Sequence, residues 1–520
     1  MKFEEDRLSE LPEHILHHIF SFLPFKQVVQ TSMLSRRWER VWNTDPSLEF
    51  GETIFELDFL TCFFLDPDQL EEDRIKLKKS YNCLEQVLRN RPMSLKKFTL
   101  DMLYHDLPEC LSFIDKCVCY AIGSNVQELK LGLFAYVCKY YNLPQIVLYA
   151  NSIEILELSY CKLELPRNNV MLSSLRKLSL FQVDVDDHMM KNLVAGCPLI
   201  EYLHVVECSL SLKNLVLFGL SRLKEIKLEN DYTLERVDIE TLNVQLLSFS
   251  CLPLRLINFA SNKNLRSLHL TLVSITDEQF CSHVPKLPLL EDLRIIQCYK
   301  LKCVKISSPY LRTLHCVKCD ELFELKVDAP NLHNLLYSGD VISLSLNAVS
   351  LSKVDVKLSC RNTDTQWYLK YVDFLAKFHR FSEVLNLHIS TNEDVMVPRE
   401  LRQILPSPLS SVKHLNLRLL GGPINFSIKK LLDGLLWISP HAKSIYIDYH
   451  DFSKASLKFE FSYKKQLNYK EETISCCKSL PVSCWQHCIE KVNVEKKESH
   501  DLKGAAIFET IDLLYSVGDS

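Results

Sequence analysis

Cys316 and Cys319 are spaced C-x-x-C, and a pair so spaced is half of a zinc site. The other half is missing, because no second pair follows at zinc spacing. His14, His17 and His18 stand at i, i+3 and i+4, which puts three imidazoles on one helical face. No cysteine or carboxylate is placed to complete that set, so ordinary surface histidines are expected. A third grouping, Cys476, Cys477, Cys484 and Cys488, is explained by packing alone. Nucleotide chemistry would require glycine loops, and neither GxGxxG nor GxxxxGK[ST] occurs among only 11 glycines. The chain holds 65 acids, but no pair falls in a recognisable catalytic frame. The residues therefore predict a protein that makes no bonds itself and takes no metal or cofactor.

The elements that would position any site have one dominant spacing, apolar residues at i, i+3 and i+5. It recurs as Ile153/Leu156/Leu158, Leu175/Leu178/Leu180, Ile200/Leu203/Val205, Leu223/Ile226/Leu228 and Val244/Leu247/Phe249. It continues as Leu265/Leu268/Leu270, Leu290/Leu293/Ile295, Leu311/Leu314/Cys316 and Leu332/Leu335/Tyr337. Successive starts lie 22, 25, 23, 21, 21, 25, 21 and 21 residues apart. Residues i+3 and i+5 share one strand face, and the residue between them points out. A single such unit buries almost nothing, so the units must stack as a solenoid of parallel strands. Cys316 is thus a core strand position, and Cys319 joins Cys161, Cys208 and Cys298 three residues beyond the last core residue. A small polar side chain at that place can bond the backbone of the turn.

Weaker copies extend the array: Leu95/Phe98/Leu100 and Val126/Leu129/Leu131 before it, Val384/Leu387/Ile389, Val412/Leu415/Leu417 and Ala442/Ile445/Ile447 after it. Residues 186–200 and 276–290 read as helices on the convex side. On the concave side the outward ladder reads His204, Lys227, Ser248, His269, Arg294 and His315, about 5 Å apart. Such a partly basic stripe is suited to an acidic segment or an anionic small molecule; plain solvation of a sheet face is the competing account.

The first forty residues pose a different problem. Leu11, Ile15, Leu16, Ile19, Phe20 and Leu23 make one apolar face and Trp38, Val41 and Trp42 another, more than so short a stretch can enclose. Pro12 is expected to open a helix, Pro24 to stop it, and Ser35 to cap a third helix after a short second one. A helical cap for the repeats is one explanation. The stretch LSELPEHILHHIFSFLPFKQVVQTSMLSRRWERVW, with its LPxxIL start and S-x-x-S-RRW-x-x-W end, resembles an F-box, and DPSLEF resembles the usual exit from it. Residues 475–511, with a C-W-x-x-x-[LI]-x-x-V centre, resemble the FBD region of plant F-box proteins, although EKKESHD replaces the glycine-containing turn before a helix expected from about 500.

The chain is therefore identified as similar to plant F-box/FBD/LRR proteins. The resemblance implies an α/β fold: a three-helix F-box (1–50), a helical linker or repeat cap (51–94), leucine-rich repeats in a horseshoe (95–450) and an FBD-like cap (451–520). It implies docking of a Skp-type adaptor, with cullin and RING protein behind it, through Leu11, Pro12, Ile15, Leu16, Ile19, Leu23 and Trp38 as contacts or local core. Arg36, Arg37 and Arg40 could meet an acidic partner. An unknown target protein would sit on the concave residues His204, Lys227, His269, Arg294 and His315. The alternative is an F-box scaffold that directs no ubiquitylation. A reactive cysteine or a RING set of ligands would mark a ligase able to act alone, and the sequence has neither arrangement.

Composition excludes other classes. At 47% hydrophobic and 24% charged residues the chain is globular, and a formal charge of -4 argues against a nucleic-acid partner. The acidic start MKFEEDRLSE and the lack of any long apolar run predict no membrane span and an intracellular chain, nuclear or cytoplasmic. In that setting its 20 cysteines are expected as reduced, mostly buried thiols.

Overall fold

The computed structural model describes residues 10–508 except 24, 52–66, 92–94, 104–107, 135–139, 209–210, 232, 253, 260, 360–363, 381–383, 390–395, 420–427, 450–455, 464–488 and 498–506. The chain forms two compact units, Met1–Asn262 and Lys263–Ser520. In both, the alternation of apolar and polar residues becomes short strands buried on one side. Ile155–Ser159 and Lys177–Phe181 each bury their second and fourth residues and leave the others on an open face.

In the first unit eight strands run parallel in the order 47–50, 97–103, 128–134, 155–159, 177–181, 202–206, 225–231, 246–251. Behind them lie the helices Pro67–Asn90 and Pro108–Gly123. The second of these buries Cys110, Phe113, Ile114, Cys117, Val118 and Ala121, one face at helical spacing, and Phe113 stacks on Tyr81 of the first at 4.7 Å.

The second unit continues the design in the parallel strands 267–271, 292–296, 313–317, 334–339, 353–358, 384–389, 414–419 and 444–449. Ser456–Tyr463 and Ile489–Lys497 then add antiparallel strands, as does the short Ile507–Phe508. The last pair corrects the expected helix from about 500: its described residues are a strand edge. Trp485 and the four nearby cysteines lie outside the described residues.

Repeat length decides what returns behind the sheet. The two 25-residue spacings enclose the helices Asp187–Ala195 and Asp277–His283, capped by the side chains of Asp186 and Thr276. The 21- and 23-residue spacings, and the 19 residues from Leu332 to Leu351, instead enclose short strands, which pair into second parallel sheets of 214–218, 236–240 and 256–258 in one unit and 303–307, 324–328 and 343–347 in the other. A strand covers about twice the distance of a helix per residue, so the shorter repeats can only return as strands. At each helix-to-strand change an aspartate receives the first strand N–H groups. Asp187 accepts from Lys213 and Asn214 at 2.7 and 2.9 Å, and Asp277 accepts from Lys302 and Cys303 at 2.9 and 3.1 Å.

Two details depart from the sequence reading. Leu385 and Leu387 stand in register with Val354/Val356 and Leu415/Leu417, so the core of this repeat begins one rung before the spacing placed it. Leu351/Val354/Val356 is a further repeat that the leucine spacing alone passes over.

The turns leaving the strands solve a problem that glycine usually solves. Tyr160, Gln182, Glu207, Leu272, Gln297 and Lys318 all have φ between 48° and 57° at the same place in six of the repeats. Each is followed by a buried residue, Cys161, Val183, Cys208, Val273, Cys298 or Cys319. Cys208 Sγ donates to Leu180 O and Cys298 Sγ to Leu270 O, at 3.8 and 3.5 Å, and each also bonds its own turn. Burial pushes the Cys298 thiol up to about 12, which keeps the proton these bonds require. Cys319 donates likewise to Ile295 O and Val317 O.

Replacing exposed Lys318 by glycine is expected to stabilise the chain by about 1 kcal/mol, because it removes the left-handed strain while no packing is lost. Gly196→Ala should cost about 1–3 kcal/mol, since its Cβ would stand 2.5 Å from the Val170 carbonyl. Denaturant melts of the two variants should shift in opposite directions.

Candidate protein-docking surfaces

Three short helices open the chain: α1 Glu13–Phe20, α2 Phe25–Thr31 and α3 Arg36–Thr44. Pro12 caps α1 through its carbonyl, which accepts from Ile15 and Leu16, and the Ser35 hydroxyl accepts from Trp38 N at 3.3 Å to start α3. Leu16, Phe20, Val28, Trp38, Val41 and Trp42 are buried together, with Phe20 and Trp38 ring centroids 5.7 Å apart. His17 Nε2 meets Val41 O at 3.1 Å, and Arg37 donates to Leu11 O at 2.5 Å, so both polar side chains tie the chain's first turn to α3. Left outside are Pro12, Ile15, Phe22, Met33 and Leu34, the last three 68–85% exposed. Leu11, Ile19 and Leu23 are half-buried.

This helical module belongs to the first unit and runs directly into its sheet. Ser47–Phe50, directly after α3, pairs with Lys97–Leu103 and buries Leu48 and Phe50. Arg91 locks the junction: its guanidinium lies 4.3 Å above the Trp42 ring and donates to Asp45 O at 2.7 Å.

On the open face, the register brings His204, Lys227 and Ser248 side by side in the first unit, and His269, Arg294 and His315 in the second. Each run is built around a carboxylate on the neighbouring outward row. Glu225 Oε1 meets His204 Nε2 at 3.0 Å and Lys227 Nζ at 2.6 Å. Asp292 Oδ2 meets His269 Nε2 at 3.1 Å and Arg294 Nη2 at 2.9 Å. Burial works to raise both carboxyls, yet Lys227 and His204 hold Glu225, and His269 and Arg294 hold Asp292, below the usual range. Burial, then the Arg294 charge, lowers His315 and favours its neutral form. Beyond Leu336 the second unit's ladder turns to amides, with Asn416 donating to Asn386 and Asn386 to Asp355.

With this geometry in view, comparison with known proteins is direct. The F-box domain family matches residues 8–50, and the At1g61320/AtMIF1 LRR domain family matches 87–265 and 252–433, most of the chain. The chain belongs to the F-box/leucine-rich-repeat family. Similar Arabidopsis thaliana proteins include the F-box/LRR-repeat protein At5g02910, 29% identical over 39% of this chain and 39% of its own length. The F-box/FBD/LRR-repeat protein At3g26920 is 33% identical over 38% of this chain and 41% of its own length. The F-box/LRR-repeat protein At3g03360 is 24% identical over 60% and 61%. The chain thus spans about two-fifths of the length of the first two relatives.

Within the F-box the expected residues divide into three kinds. Leu16 and Trp38 are core, Pro12 and Ile15 face solvent, and Leu11, Ile19 and Leu23 stand at the boundary. Phe22, Met33 and Leu34 escape a periodicity search because they sit at a helix end and in a turn. Their signal was present nonetheless, as large apolar residues outside any helical stripe. Arg37 is used inside the module, while Arg36 and Arg40 are exposed. The repeats hold Cys316 and Cys319 as buried strand and turn residues. Among the described residues no His, Cys, Asp or Glu cluster is arranged to hold a metal, and no helix is long and apolar enough to cross a membrane. The basic ladder is not a bare positive stripe, since Glu225 and Asp292 compensate it from a row the sequence reading left uncounted.

The two carboxylates also set an acid dependence. A carboxyl held below its unfolded value contributes stability in full above about pH 4, and that contribution disappears as pH falls through the folded value. Asp292→Asn should therefore lower the urea midpoint at neutral pH, with the gap to wild type narrowing as pH falls below the ordinary carboxylate range and through the lowered folded value.

Proposed function

We propose that this chain is a target-recognition subunit of a Skp–cullin–F-box ubiquitin ligase. The F-box binds a Skp-type adaptor, which carries cullin and a RING protein, and the repeats bind a target protein. The observation that carries the reading is the F-box itself: a satisfied three-helix core that leaves Pro12, Ile15, Phe22, Met33 and Leu34 uncovered. An apolar surface on a module whose core is already complete is suited to a partner rather than to its own chain.

The target's place is on the open faces of the two units, with His204 and Lys227 on the first and His269, Arg294 and His315 on the second. All five are half-buried, and His204, Lys227, His269 and Arg294 are ion-paired on a regular sheet, which fixes their positions before a partner arrives. The chain's contribution is then proximity: it holds a target near the enzyme that carries activated ubiquitin, and no group of its own reacts.

Ile15→Asp/Phe22→Asp is expected to weaken adaptor binding at least about tenfold while leaving the circular dichroism spectrum intact, because neither residue is in the core. Leu16→Ala should instead unfold the module, at about 2–5 kcal/mol. Co-purification with adaptor and cullin reads out the first. Wild-type protein that recovers adaptor without cullin would end the ligase reading and leave a scaffold. Alanine at all five open-face positions should abolish capture of a target that accumulates in cells carrying the F-box variant.

A further inference from the structure

The later strands of the second unit carry a charge pattern that the first unit's open face lacks. In the first unit the lysines of the sheet each meet a carboxylate: Lys97 meets Glu49, Lys130 meets Asp101, Lys177 meets Glu157 and Lys227 meets Glu225. Across 353–358, 384–389 and 414–419 the outward side chains include Lys353, Lys357 and Arg418 against one carboxylate, Asp355, with His388 and His414 beside them. Register sets Lys357, His388 and Arg418 side by side on one row. Both cations are exposed. Among the described residues Lys357 makes no ion pair, and Arg418 is bound through Nε alone, to Asp448 Oδ2 on the next strand at 2.8 Å. Burial, then the Arg418 charge, lowers His388 and favours a neutral imidazole between the two.

The adjoining row is one of oriented amides. Asn416 Nδ2 donates to Asn386 Oδ1 at 2.7 Å, and Asn386 Nδ2 donates to Asp355 Oδ1, so both amides point the same way. Each amide nitrogen carries two N–H groups and spends one within the row, which leaves one for an incoming carbonyl. Asp355 is occupied from both sides, since Lys353 Nζ stands 3.5 Å from its other oxygen. The amide and cation rows lie two residues apart along each strand, about 7 Å.

We propose that these two rows bind an extended acidic segment of the target, with its main-chain carbonyls on Asn386 and Asn416 and its carboxylates on Lys357 and Arg418. The inference rests on the receptor reading and adds the chemical class of the target. From Lys357 to Arg418 is two rungs, about 10 Å, which about three residues of extended chain span. The cations stand in a line and not around a point, so they suit singly charged groups spaced along a chain. A single phosphate would need donors that converge on it. With Nε given to Asp448, the Arg418 fork still presents its terminal nitrogens to a second carboxylate.

The test uses the full chain co-purified with its adaptor and fluorescein-labelled hexa-glutamate, hexa-glutamine and hexa-lysine, read by anisotropy. Hexa-glutamate should bind about tenfold more tightly than hexa-glutamine, and hexa-lysine should bind least. Lys357→Gln/Arg418→Gln should weaken hexa-glutamate about tenfold and leave hexa-glutamine unchanged, as loss of two exposed ion pairs requires. Asn416→Ala should weaken both peptides by one factor, about threefold, because the contact it removes is to main chain. Lys130→Gln, on the first unit's sheet, should move neither. All these variants should keep the wild-type circular dichroism spectrum, since none of the four residues is in the core. Parity of the glutamate and glutamine peptides, preference for hexa-lysine, or hexa-glutamate binding unmoved by Lys357→Gln/Arg418→Gln would overturn the proposal. So would an equal loss from Lys130→Gln, or displacement of hexa-glutamate by inorganic phosphate at matched ionic strength. With cullin recovered and target capture still lost on alanine substitution of the five open-face residues, any of these results would leave the receptor reading standing without it.

Discussion

No single repeat of this chain can bury its leucines alone. A single repeat offers two or three core side chains on a five-residue strand, and only an identical face above and below removes them from water. Stacking works because the parallel strands pair residue for residue, Leu156 against Leu178 against Leu203, with no slip. A shift of one residue would turn every leucine outward and every lysine inward. In-register pairing is thus the constraint that places both the core and the outward ladders. The ion pairs of the open face, such as Lys177 with Glu157 or Lys227 with Glu225, exist because register delivers their partners.

The turn at each strand end shows how the constraint is met with so little glycine. Six repeats place an ordinary residue in the left-handed region, each at a cost of about 1–2 kcal/mol. The backbone N–H of each such residue still donates to the next strand, as Gln182 does to Val206 O at 2.8 Å and Gln297 to Val317 O at 2.8 Å. The residue after it is buried, and at Cys208, Cys298 and Cys319 the thiol reaches a carbonyl of the preceding repeat. Offsetting one strained dihedral pair with a ladder bond, a buried side chain and a sulfur bond makes the turn reproducible.

Much of this was legible in the residues. The i, i+3, i+5 spacing located the principal strands from 95 to 449, and Cys161, Cys208, Cys298 and Cys319 marked the turns. The second sheets were not seen, although ELKVD and SLSLN alternate cleanly, because the leucine spacing drew attention to one strand per repeat. Valine-built Leu351/Val354/Val356 escaped for the same reason. The left-handed turns were invisible, since Tyr, Gln, Glu, Leu and Lys carry no signal for positive φ. For the F-box, the motif gave the right stretch but could not separate Leu16 and Trp38, which hold the helices together, from Ile15, which does not. The acidic partners of the basic ladder were in plain sight at Glu225 and Asp292. Reading one outward row without its neighbour hid them.

The strand Ser47–Phe50 follows α3 without a linker, and Arg91 clamps the joint from the far side. The F-box is therefore not a bead on a string with respect to the first unit. An adaptor docked on the F-box as proposed would inherit a fixed bearing on that unit's open face, as two arms of a welded bracket do. Orientation is then inherited from backbone pairing rather than gained by diffusion of a tether. Changing the number of strands between 97 and 251 would swing a bound molecule to a new angle, where loosening a linker would only blur it.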